Sequence, residues 1–342
     1  MTHDFSGLMD QVILDQQGPA IVNIDNLRKE RPMFPHCFDS TMLNAFRSCP
    51  QKAFRTYVEH WKPIAESVHL VAGKAFAKGI ETARDAYFNK GATADDAMAS
   101  GLEALLKAYG SFEPPPQSAK TPERMAGALE FYFDRYPLEH DHFEIYRDSS
   151  GKAAVEFSFC EPTDVVHPVT GDPILFTGRA DALGNYGGYL LACDEKTTSS
   201  LGASWVKQWE MRGQFTSYTW AARRVKIPLQ GALVRGVSIL KTKYDTAEVP
   251  SYRTQDDIDR WYKQTLRDLE RAKKMWAEGY WDYNLGEACN EYGGCSLVGV
   301  CRAKDPYEWL KINFTRRVWD PLAREELTVE EWERSWNHIP RD

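Results

Sequence analysis

Two acidic residues and a lysine lie close together in the middle of the chain. Asp194 and Lys196 are separated by one residue, and Asp181 precedes Asp194 by 13 positions. Side chains of a β-strand alternate between its two faces, so Asp194 and Lys196 are predicted to share a face while Glu195 points to the other. If a hairpin brings Asp181 beside Asp194, two carboxylates and an ammonium group converge, which is unfavourable unless a cation is held there. A hard divalent ion bound by oxygen atoms would complete the site.

Such a cluster is suited to the hydrolysis of phosphodiester bonds. A bound metal ion lowers the pKa of a water molecule and stabilises the charge that develops on the phosphate. A neighbouring lysine orients the nucleophile or offsets negative charge. An isolated Asp-x-Lys motif is weak evidence for a catalytic site, because a hairpin with ordinary surface charges can contain the same motif. The neighbouring residues must distinguish the two interpretations.

A predicted hairpin over residues 176–198 must position these groups. Its first strand is predicted over 175–183 and its second over 189–197. The connection over 184–188 contains three glycines and an asparagine, which tolerate positive φ and favour a turn.

The remaining periodicity predicts an α/β chain whose first 140 residues are mainly helical. Predicted helices begin at Asp39-Ser40 and cover 51–61, 71–89, 95–109, 121–136, 205–224 and 254–278. Further strands are predicted over 153–159, 230–240 and 244–252. In the helix over 205–224, Gln214 and Tyr218 are four residues apart and share a face.

The order of these motifs resembles the PD-(D/E)XK nuclease superfamily, in particular its RecB-like branch, which includes AddB-type, CRISPR-associated and phage-encoded exonucleases. The pattern in that branch is Gly-x-x-Asp, then Asp-x-Lys-Thr, then Gln-x-x-x-Tyr. This chain carries it at residues 178–181, 194–197 and 214–218. The resemblance implies a restriction-endonuclease-like core, a mixed central sheet flanked by helices.

The resemblance also implies a role for each residue. The ligands of Mg²⁺ or Mn²⁺ would be Asp181, Asp194 and the backbone carbonyl of Glu195. Lys196 would assist the attacking water molecule, and Gln214 with Tyr218 would order the substrate.

One position departs from the family pattern. Relatives commonly carry Gly-x-x-x-His in an earlier helix, with the histidine near the metal ion, whereas this chain has Gly73 followed by Ala77. Glu81 lies one helical turn after Ala77 on the same face, so it is predicted either to replace that ligand or to be a solvated glutamate. Glu156, on a predicted strand, is a further candidate to replace the missing histidine. It is predicted either to face the site or to be an exposed strand residue.

Three evenly spaced cysteines mark the C-terminal region. Cys289, Cys295 and Cys301 are each separated by five residues in a glycine-rich loop. Glycines let the backbone wrap closely around a compact group, so metal or cluster ligation explains the three thiols better than core packing. Cys49, followed by Pro50 at a helix junction, is the candidate fourth ligand, although alone it could be a small buried apolar residue. Some RecB-like nucleases carry this layout and bind a [4Fe-4S] cluster with it, and Zn²⁺ is the competing occupant.

The amino-acid composition limits the class of protein to which the chain can belong. The chain has 342 residues, 43% of them hydrophobic, and a net charge of -7, which fits a globular protein and excludes a generally basic nucleic-acid coat. There is no run of about 18 apolar residues and no signal peptide pattern, so no membrane association is expected. The predicted location is the cytoplasm, that of a host cell if the gene is carried by a phage. Cysteines in such a location are thiols or metal ligands rather than disulfides.

The predicted regions are an N-terminal lead-in over 1–39, a helical region over 40–150 with Cys49 and Glu81, a nuclease core over 151–285, and a C-terminal iron-sulfur loop and tail over 286–342. The predicted function is a metal-dependent DNA exonuclease acting on single-stranded DNA or DNA ends in recombination, repair or phage DNA metabolism. Its expected partners are DNA and a recombinase, annealing protein or helicase. The alternatives are a DNA-binding or assembly protein that keeps the fold and cluster without cleaving, an endonuclease, and a zinc-stabilised nuclease.

Overall fold

The computed structural model describes residues 31–290 and 294–336, so most of the lead-in and three residues of the cysteine loop lie outside the described chain. The first elements are mainly helical: β1 (Cys37–Asp39), α1 (Ser40–Ser48), α2 (Pro50–Ala53), a π-helical segment (Phe54–Val58), β2 (Trp61–Pro63), α3 (Val68–Phe88), α4 (Ala94–Tyr109) and α5 (Pro122–Arg135). Helix α1 begins where predicted because the Asp39 carboxylate accepts a hydrogen bond from Met42 N at 2.8 Å. The helix predicted over 51–61 is shorter than expected: it changes to π-helical form at Phe54 and ends at Val58.

The central elements alternate strands with helices: β3 (Glu144–Ile145), β4 (Phe157–Val166), β5 (Pro173–Ala180), β6 (Ala182–Tyr186), β7 (Tyr189–Thr198), α6 (Ala203–Lys207), α7 (Gly213–Arg224), β8 (Gly231–Ile239), β9 (Tyr244–Tyr252) and α8 (Gln255–Glu278). The strands predicted over 230–240 and 244–252 and the helix predicted over 254–278 are confirmed. The strand predicted over 153–159 is wrong at its start, since β4 begins at Phe157.

The C-terminal elements are short: α9 (Glu287–Asn290), α10 (Val298–Arg302), α11 (Pro306–Asn313), β10 (Phe314–Arg316), β11 (Val318–Asp320), β12 (Glu325–Leu327) and α12 (Val329–Trp336). Strand β10 pairs antiparallel with β2, so this region returns to the N-terminal part of the chain. In the part of the chain that the structure describes, no helix combines the length and apolar character needed to cross a lipid bilayer.

A five-stranded mixed sheet lies at the centre, in the order β3-β6-β7-β8-β9, with β7 and β8 parallel. Every residue of β8 is buried, as expected for a central strand covered on both faces. Ala232 and Val234 belong to the hydrophobic core that includes α7 and α8, whereas Val237 and Ile239 belong to the core formed by α3, α4 and α5. The sheet is therefore covered by helices on both faces, which agrees with the predicted α/β class.

The strand predicted over 175–183 is interrupted at Asp181. Before it, β5 joins a three-stranded sheet between β1 and β4, and after it, β6 joins the five-stranded sheet. The prediction of one continuous strand was therefore wrong, because residues on either side of Asp181 pair with different partners. The interruption leaves Asp181 at the junction of two sheets.

The predicted hairpin between β6 and β7 is confirmed, but its turn is shorter than the predicted 184–188 connection. Tyr186 pairs with Tyr189, so Gly187 and Gly188 alone form the turn, with φ of 57° and 85°. A two-residue turn with positive φ at both positions matches the twist of antiparallel strands. Gly184, predicted to open the turn, is instead a strand residue opposite Leu191.

The helix predicted over 205–224 is divided into α6 and α7. Arg253 donates hydrogen bonds to the carbonyl oxygens of Trp209 and Arg212, each at 3.3 Å, between the two helices. The Arg212 carbonyl also accepts from Thr216 N at 3.4 Å as the N-cap of α7, so Arg253, which directly follows β9, binds the chain where the new helix begins. The break sets α7 as a separate helix that begins beside the predicted site.

Candidate active site

Asp181 lies directly beside β7. Its backbone N donates to the carbonyl oxygen of Cys193 at 3.2 Å, and its carboxylate Oδ2 accepts a hydrogen bond from Glu195 N at 3.0 Å. Burial, together with the carboxylates of Asp194 and Glu195, raises the pKa of Asp181 to about 8. The predicted convergence of two carboxylates is thus present, and their mutual repulsion is the electrostatic condition that a bound cation relieves.

The approach to Asp181 requires a glycine three residues earlier. A Cβ atom at Gly178 would lie 2.5 Å from the Phe159 ring, closer than any side chain can pack. Phe159 also packs edge-on against Tyr218, with ring centroids 6.4 Å apart. Gly178 therefore lets β5 pack tightly beneath the helix that faces Asp194.

Asp194 is almost completely buried, at 2% exposure, and is held by α7. Gln214 Nε2 donates to Asp194 Oδ2 at 3.0 Å, and Tyr218 OH donates to the same oxygen at 3.2 Å. Burial, together with the charge of Asp194, raises the pKa of Tyr218 well above its usual range, so the hydroxyl remains a donor. Gln214 and Tyr218 share a face as predicted, and the contacts that they make orient a carboxylate.

Lys196 lies on the same face of β7 as Asp194, as the alternation predicts, and forms an ion pair with Asp194 Oδ1. Apart from this ion pair, Asp194 Oδ1 has no hydrogen-bond partner among the described residues. Burial lowers the pKa of Lys196, but the carboxylates of Asp194 and Asp181 raise it by more, so the net shift is upward. The side chain is therefore an ammonium group, about one-third exposed.

Glu195 points to the opposite face, into a buried polar network. Its Oε1 accepts from Arg84 Nη2 at 2.6 Å and from Tyr132 OH at 2.9 Å. Burial acts to raise the pKa of Glu195, but Arg84 outweighs it and the pKa falls to about 2. Arg235, paired with both carboxylate oxygens of Asp141 at 2.6 Å, extends the network beneath the sheet.

The backbone of Glu195 nevertheless faces the candidate metal site. The N–H and C=O of one strand residue point to the same edge of the strand. Because Glu195 N donates to Asp181, its carbonyl oxygen points to the same edge, beyond the end of β6. Two carboxylates and one carbonyl are the oxygen donors that a hard divalent cation prefers, so the residues present fit the predicted ion. Among the described residues, no group of three or more His, Cys, Asp or Glu side chains is arranged to hold a metal ion, so the proposed third ligand is a backbone oxygen.

The two alternative ligands have other partners. Glu81 pairs with Lys78 on the surface of α3, at 2.8 Å. Glu156 accepts from Arg179 Nη1 at 2.8 Å and is exposed. The structure therefore gives neither carboxylate a contact with Asp181 or Asp194, and a ligand role for Glu81 remains a prediction.

An arginine from the C-terminal region approaches the same site. Arg324, between β11 and β12, donates to the carbonyl oxygen of Arg179 at 3.4 Å and has a positive φ of 57°. Burial lowers its pKa, and the Tyr218 hydroxyl and the Asp181 carboxylate oppose that shift. No sequence pattern singles out Arg324, because it is brought to the site only by the packing of β11 against the rest of the chain.

The four cysteines predicted to act together line one small cavity of about 30 Å³. Cys49 comes from the junction of α1 and α2, Cys289 from α9 and Cys301 from α10, and Cys295 lies between those two short helices, so the predicted loop is partly helical. Burial raises the pKa of Cys301, and the nearby thiols of Cys295, Cys49 and Cys289 add to that shift. Residues 291–293 of the same loop lie outside the described residues.

Comparison with known protein families identifies the superfamily of the chain. The model of the PD-(D/E)XK nuclease superfamily matches residues 40–302, most of the chain. Among solved structures, a candidate exonuclease from Eubacterium rectale is 11% identical, with 80% of this chain and 92% of that chain covered and a TM-score of 0.43. The structure of SSO0001 is 13% identical, with coverage of 71% and 81% and a TM-score of 0.27. A search of curated protein sequences finds no significant match.

Proposed function

Because the chain belongs to the PD-(D/E)XK nuclease superfamily, we propose that it is a metal-dependent deoxyribonuclease that hydrolyses phosphodiester bonds. The observation that carries the proposal is the meeting of Asp181, Asp194 and Lys196 at one edge of β7. The buried carboxylate of Asp194, the half-buried carboxylate of Asp181 and the ammonium group of Lys196 together suit phosphodiester hydrolysis better than a structural role.

We assign the metal ligands to Asp181, Asp194 and the carbonyl oxygen of Glu195. When bound, Mg²⁺ or Mn²⁺ supplies an activated water molecule and offsets charge on the phosphate. The hydrogen bonds from Gln214 and Tyr218 fix one oxygen of Asp194, so the carboxylate does not have to reorganise during the reaction. Gln214 and Tyr218 therefore act by positioning Asp194, and they order the substrate through Asp194.

Lys196 is the cation that pairs with the proposed metal ligand Asp194. Its ammonium group is held by Asp194, which keeps it protonated and directed at the same edge as the ligands. From there it can donate a hydrogen bond to the attacking water or to a phosphate oxygen. The opposite face of the strand is closed by the ion pair of Glu195 with Arg84, so the reaction is confined to one side.

We further propose that the enzyme is an exonuclease acting on single-stranded DNA or DNA ends in recombination, repair or phage DNA metabolism. The support for this finer assignment is the resemblance to the RecB-like branch at residues 178–181, 194–197 and 214–218. A recombinase, annealing protein or helicase would be its protein partner in such a process.

The proposal is tested by incubating anaerobically purified protein with single- and double-stranded DNA labelled at either end, with Mn²⁺ and with EDTA. We expect Mn²⁺-dependent release of the label as mononucleotides or short oligonucleotides, and the end that is released first gives the polarity. Internal fragments would indicate an endonuclease. If no substrate is cut while DNA is still bound, the protein is a non-cleaving binding module, an alternative motivated by Ala77 in place of the family's histidine.

We propose that the four cysteines around the small cavity hold a [4Fe-4S] cluster, with Zn²⁺ as the competing occupant. The support is the convergence of Cys49 with the three C-terminal thiols, across 239 intervening residues. Four thiolate ligands suit either occupant. Such a group would join the N-terminal helices to the C-terminal loop, so its role would be structural.

If the cluster is present, the protein contains about four iron atoms and four sulfides per chain. Cys49→Ser and Cys301→Ser are expected to lose most of the iron and to lower the melting temperature by roughly 10 °C, because a group bound only by the folded state stabilises it. Cys160→Ser is the matched control, since Cys160 is exposed and away from the cavity. If the protein contains zinc in place of iron, the zinc-stabilised alternative is correct. If it contains neither metal, the four cysteines do not bind a metal or cluster.

A further inference from the structure

The C-terminal hairpin of β11 and β12 is fixed to the start of α1. Trp319 Nε1, on β11, donates to Asp39 Oδ2 at 2.9 Å, and the other oxygen of this buried carboxylate begins the helix. The turn over residues 321–324 is closed by Asp320. Its carbonyl oxygen accepts from Arg324 N at 2.7 Å, and its Oδ1 accepts from Leu322 N at 2.8 Å. The position of the turn is therefore set by the protein alone.

Arg324 occupies the last position of that turn in a backbone conformation that suits glycine. Its φ of 57° lies in the left-handed region, which strains a residue that carries a Cβ atom. A glycine would form the same turn without that strain. Backbone strain of this kind is often retained at functional sites, so the presence of an arginine is better explained by its side chain than by the turn.

The side chain of Arg324 reaches β5 beyond the end of β1. Strand β1 pairs with β5 only as far as Thr177, and Arg324 Nη2 donates to the carbonyl oxygen of Arg179, two residues further along. Arg179 is in turn two residues before Asp181. The contact measures 3.4 Å, longer than the usual range of about 2.7–3.2 Å, so it holds the guanidinium group weakly.

Arg324 lies on the side of the site that contains Asp194 rather than on the side of the Glu195 side chain. Burial lowers the pKa of Arg324, whereas the Tyr218 hydroxyl and the Asp181 carboxylate oppose that shift because they lie close enough for their charges to act. Tyr218 is the residue that donates to Asp194 Oδ2 at 3.2 Å. The contact with β5 and the neighbouring groups thus both place the guanidinium group beside the proposed metal ligands.

The guanidinium group of Arg324 is half-buried and lacks an ion-pair partner. Among the described side chains, no carboxylate is in ion-pair contact with it, and its contact with Arg179 leaves its other N–H groups available. Partial removal of a charge from water without a counter-charge is unfavourable. The planar fork of N–H groups matches two oxygen atoms of a phosphate, so the chemistry of the missing partner is that of an oxyanion.

We propose that Arg324 binds the phosphate that is cleaved at Asp181, Asp194 and Lys196, so that the C-terminal hairpin completes the active site. This inference rests on the proposed deoxyribonuclease function and adds a substrate contact to that same site. A phosphodiester gains negative charge when water attacks it. A guanidinium group in contact with its oxygen atoms therefore stabilises the transition state more than the bound substrate.

The proposal predicts that one substitution separates activity from stability. Arg324→Gly removes the guanidinium group and also relieves the strain of the positive φ. That relief offsets the greater freedom of glycine in the unfolded chain, so the melting temperature should stay within about 3 °C of the wild type. The kcat with Mn²⁺ should fall about 100-fold, the range for loss of one fixed donor to a reacting oxyanion.

The experiment measures kcat and KM for an end-labelled oligonucleotide with Mn²⁺, and its Kd in EDTA, where no hydrolysis occurs. The Kd should change less than about five-fold, because the contact acts mainly in the transition state. Arg324→Asn, which also tolerates positive φ, is the second test if the glycine variant does not fold. Arg317→Asn, at an exposed arginine between β10 and β11, is the matched control and should change none of these quantities.

Two further measurements distinguish a contact with phosphate from a structural role. Arg324→Lys keeps a charge without the planar fork, so it should recover part of the lost kcat. Methylguanidinium added at constant ionic strength can occupy the space left in Arg324→Gly. It should restore part of the kcat of that variant but none of the activity of Lys196→Met.

The possible outcomes lead to different conclusions. If Arg324→Gly and Arg324→Asn cleave DNA at the wild-type rate, or lose binding in EDTA with kcat unchanged, Arg324 does not contact the reacting phosphate. If both variants lose kcat and melting temperature together, with no recovery by lysine or methylguanidinium, Arg324 serves the fold. In either case the proposed function stands. If the wild type neither binds nor cleaves DNA, the proposed function fails and the inference fails with it.

Discussion

Lys196→Met is expected to lower the rate of metal-dependent DNA hydrolysis about 10³-fold, the range seen when a group that assists proton transfer or stabilises charge is removed. The ammonium group of Lys196 is the cation that Asp194 holds at the reacting edge of β7. Methionine fills similar space without a charge or a donor. The measurement is the initial rate of release of end label with Mn²⁺, for the wild type and for the variant at the same protein concentration.

Two controls make this result specific. Lys107→Met, the same change at an exposed lysine, should hydrolyse DNA at the wild-type rate. Binding of DNA in EDTA and the far-ultraviolet circular dichroism spectrum of Lys196→Met should show that the variant is folded and still binds substrate. A Lys196→Met variant that cleaves as fast as the wild type would remove Lys196 from the catalytic machinery.

Arg84→Met is expected to lower the free energy of unfolding by about 3–5 kcal/mol, the cost of leaving a buried charge without its partner. Arg84 and Glu195 form their ion pair with side-chain exposures of only 4% and 1%. After the substitution, the carboxylate of Glu195 would keep Tyr132 and Cys193 as hydrogen-bond donors but would lose its counter-charge. Equilibrium unfolding in urea, monitored by tryptophan fluorescence, measures the change.

A surface pair at the C-terminal end of the same helix is the matched control for that prediction. Lys90 pairs with Asp85 at 2.6 Å, with Lys90 69% exposed, so Lys90→Met should cost less than about 1 kcal/mol. In the double variant Arg84→Met/Glu195→Leu, no charge is left unpaired at this point, and much of the lost stability should return. A cost for Arg84→Met no greater than that for Lys90→Met would show that the buried pair does not stabilise the fold.

The two predictions concern opposite faces of one strand. Asp194 and Lys196 act toward the substrate edge, whereas Glu195 is tied to Arg84 behind it. Anchoring Glu195 also holds its backbone, whose N–H binds Asp181 and whose carbonyl is a proposed metal ligand. The buried side chain of Glu195 thus fixes the backbone groups of the same residue at the site. Arg84→Met should therefore reduce activity even at temperatures where the variant remains folded.

The local features of the site followed from the sequence. Strand alternation placed Asp194 and Lys196 on one face and Glu195 on the other. Helical spacing placed Gln214 and Tyr218 together. Both relations depend only on the spacing of residues two to four positions apart within one strand or one helix, and that spacing has the same geometry in any protein.

Only the tertiary structure decided the features that join distant segments. The interruption at Asp181 arises because β5 and β6 pair with different sheets, and the break before α7 is bridged by hydrogen bonds from Arg253 to the Trp209 and Arg212 carbonyl groups. Arg324 reaches the site through its contact with the end of β5, with no pattern in the sequence to mark it. The meeting of Cys49 with the C-terminal thiols was predicted by family resemblance, but whether the four line one cavity depends on contacts across 239 residues. Local periodicity determines which face a side chain occupies, whereas the partners on that face depend on long-range packing that no local pattern contains.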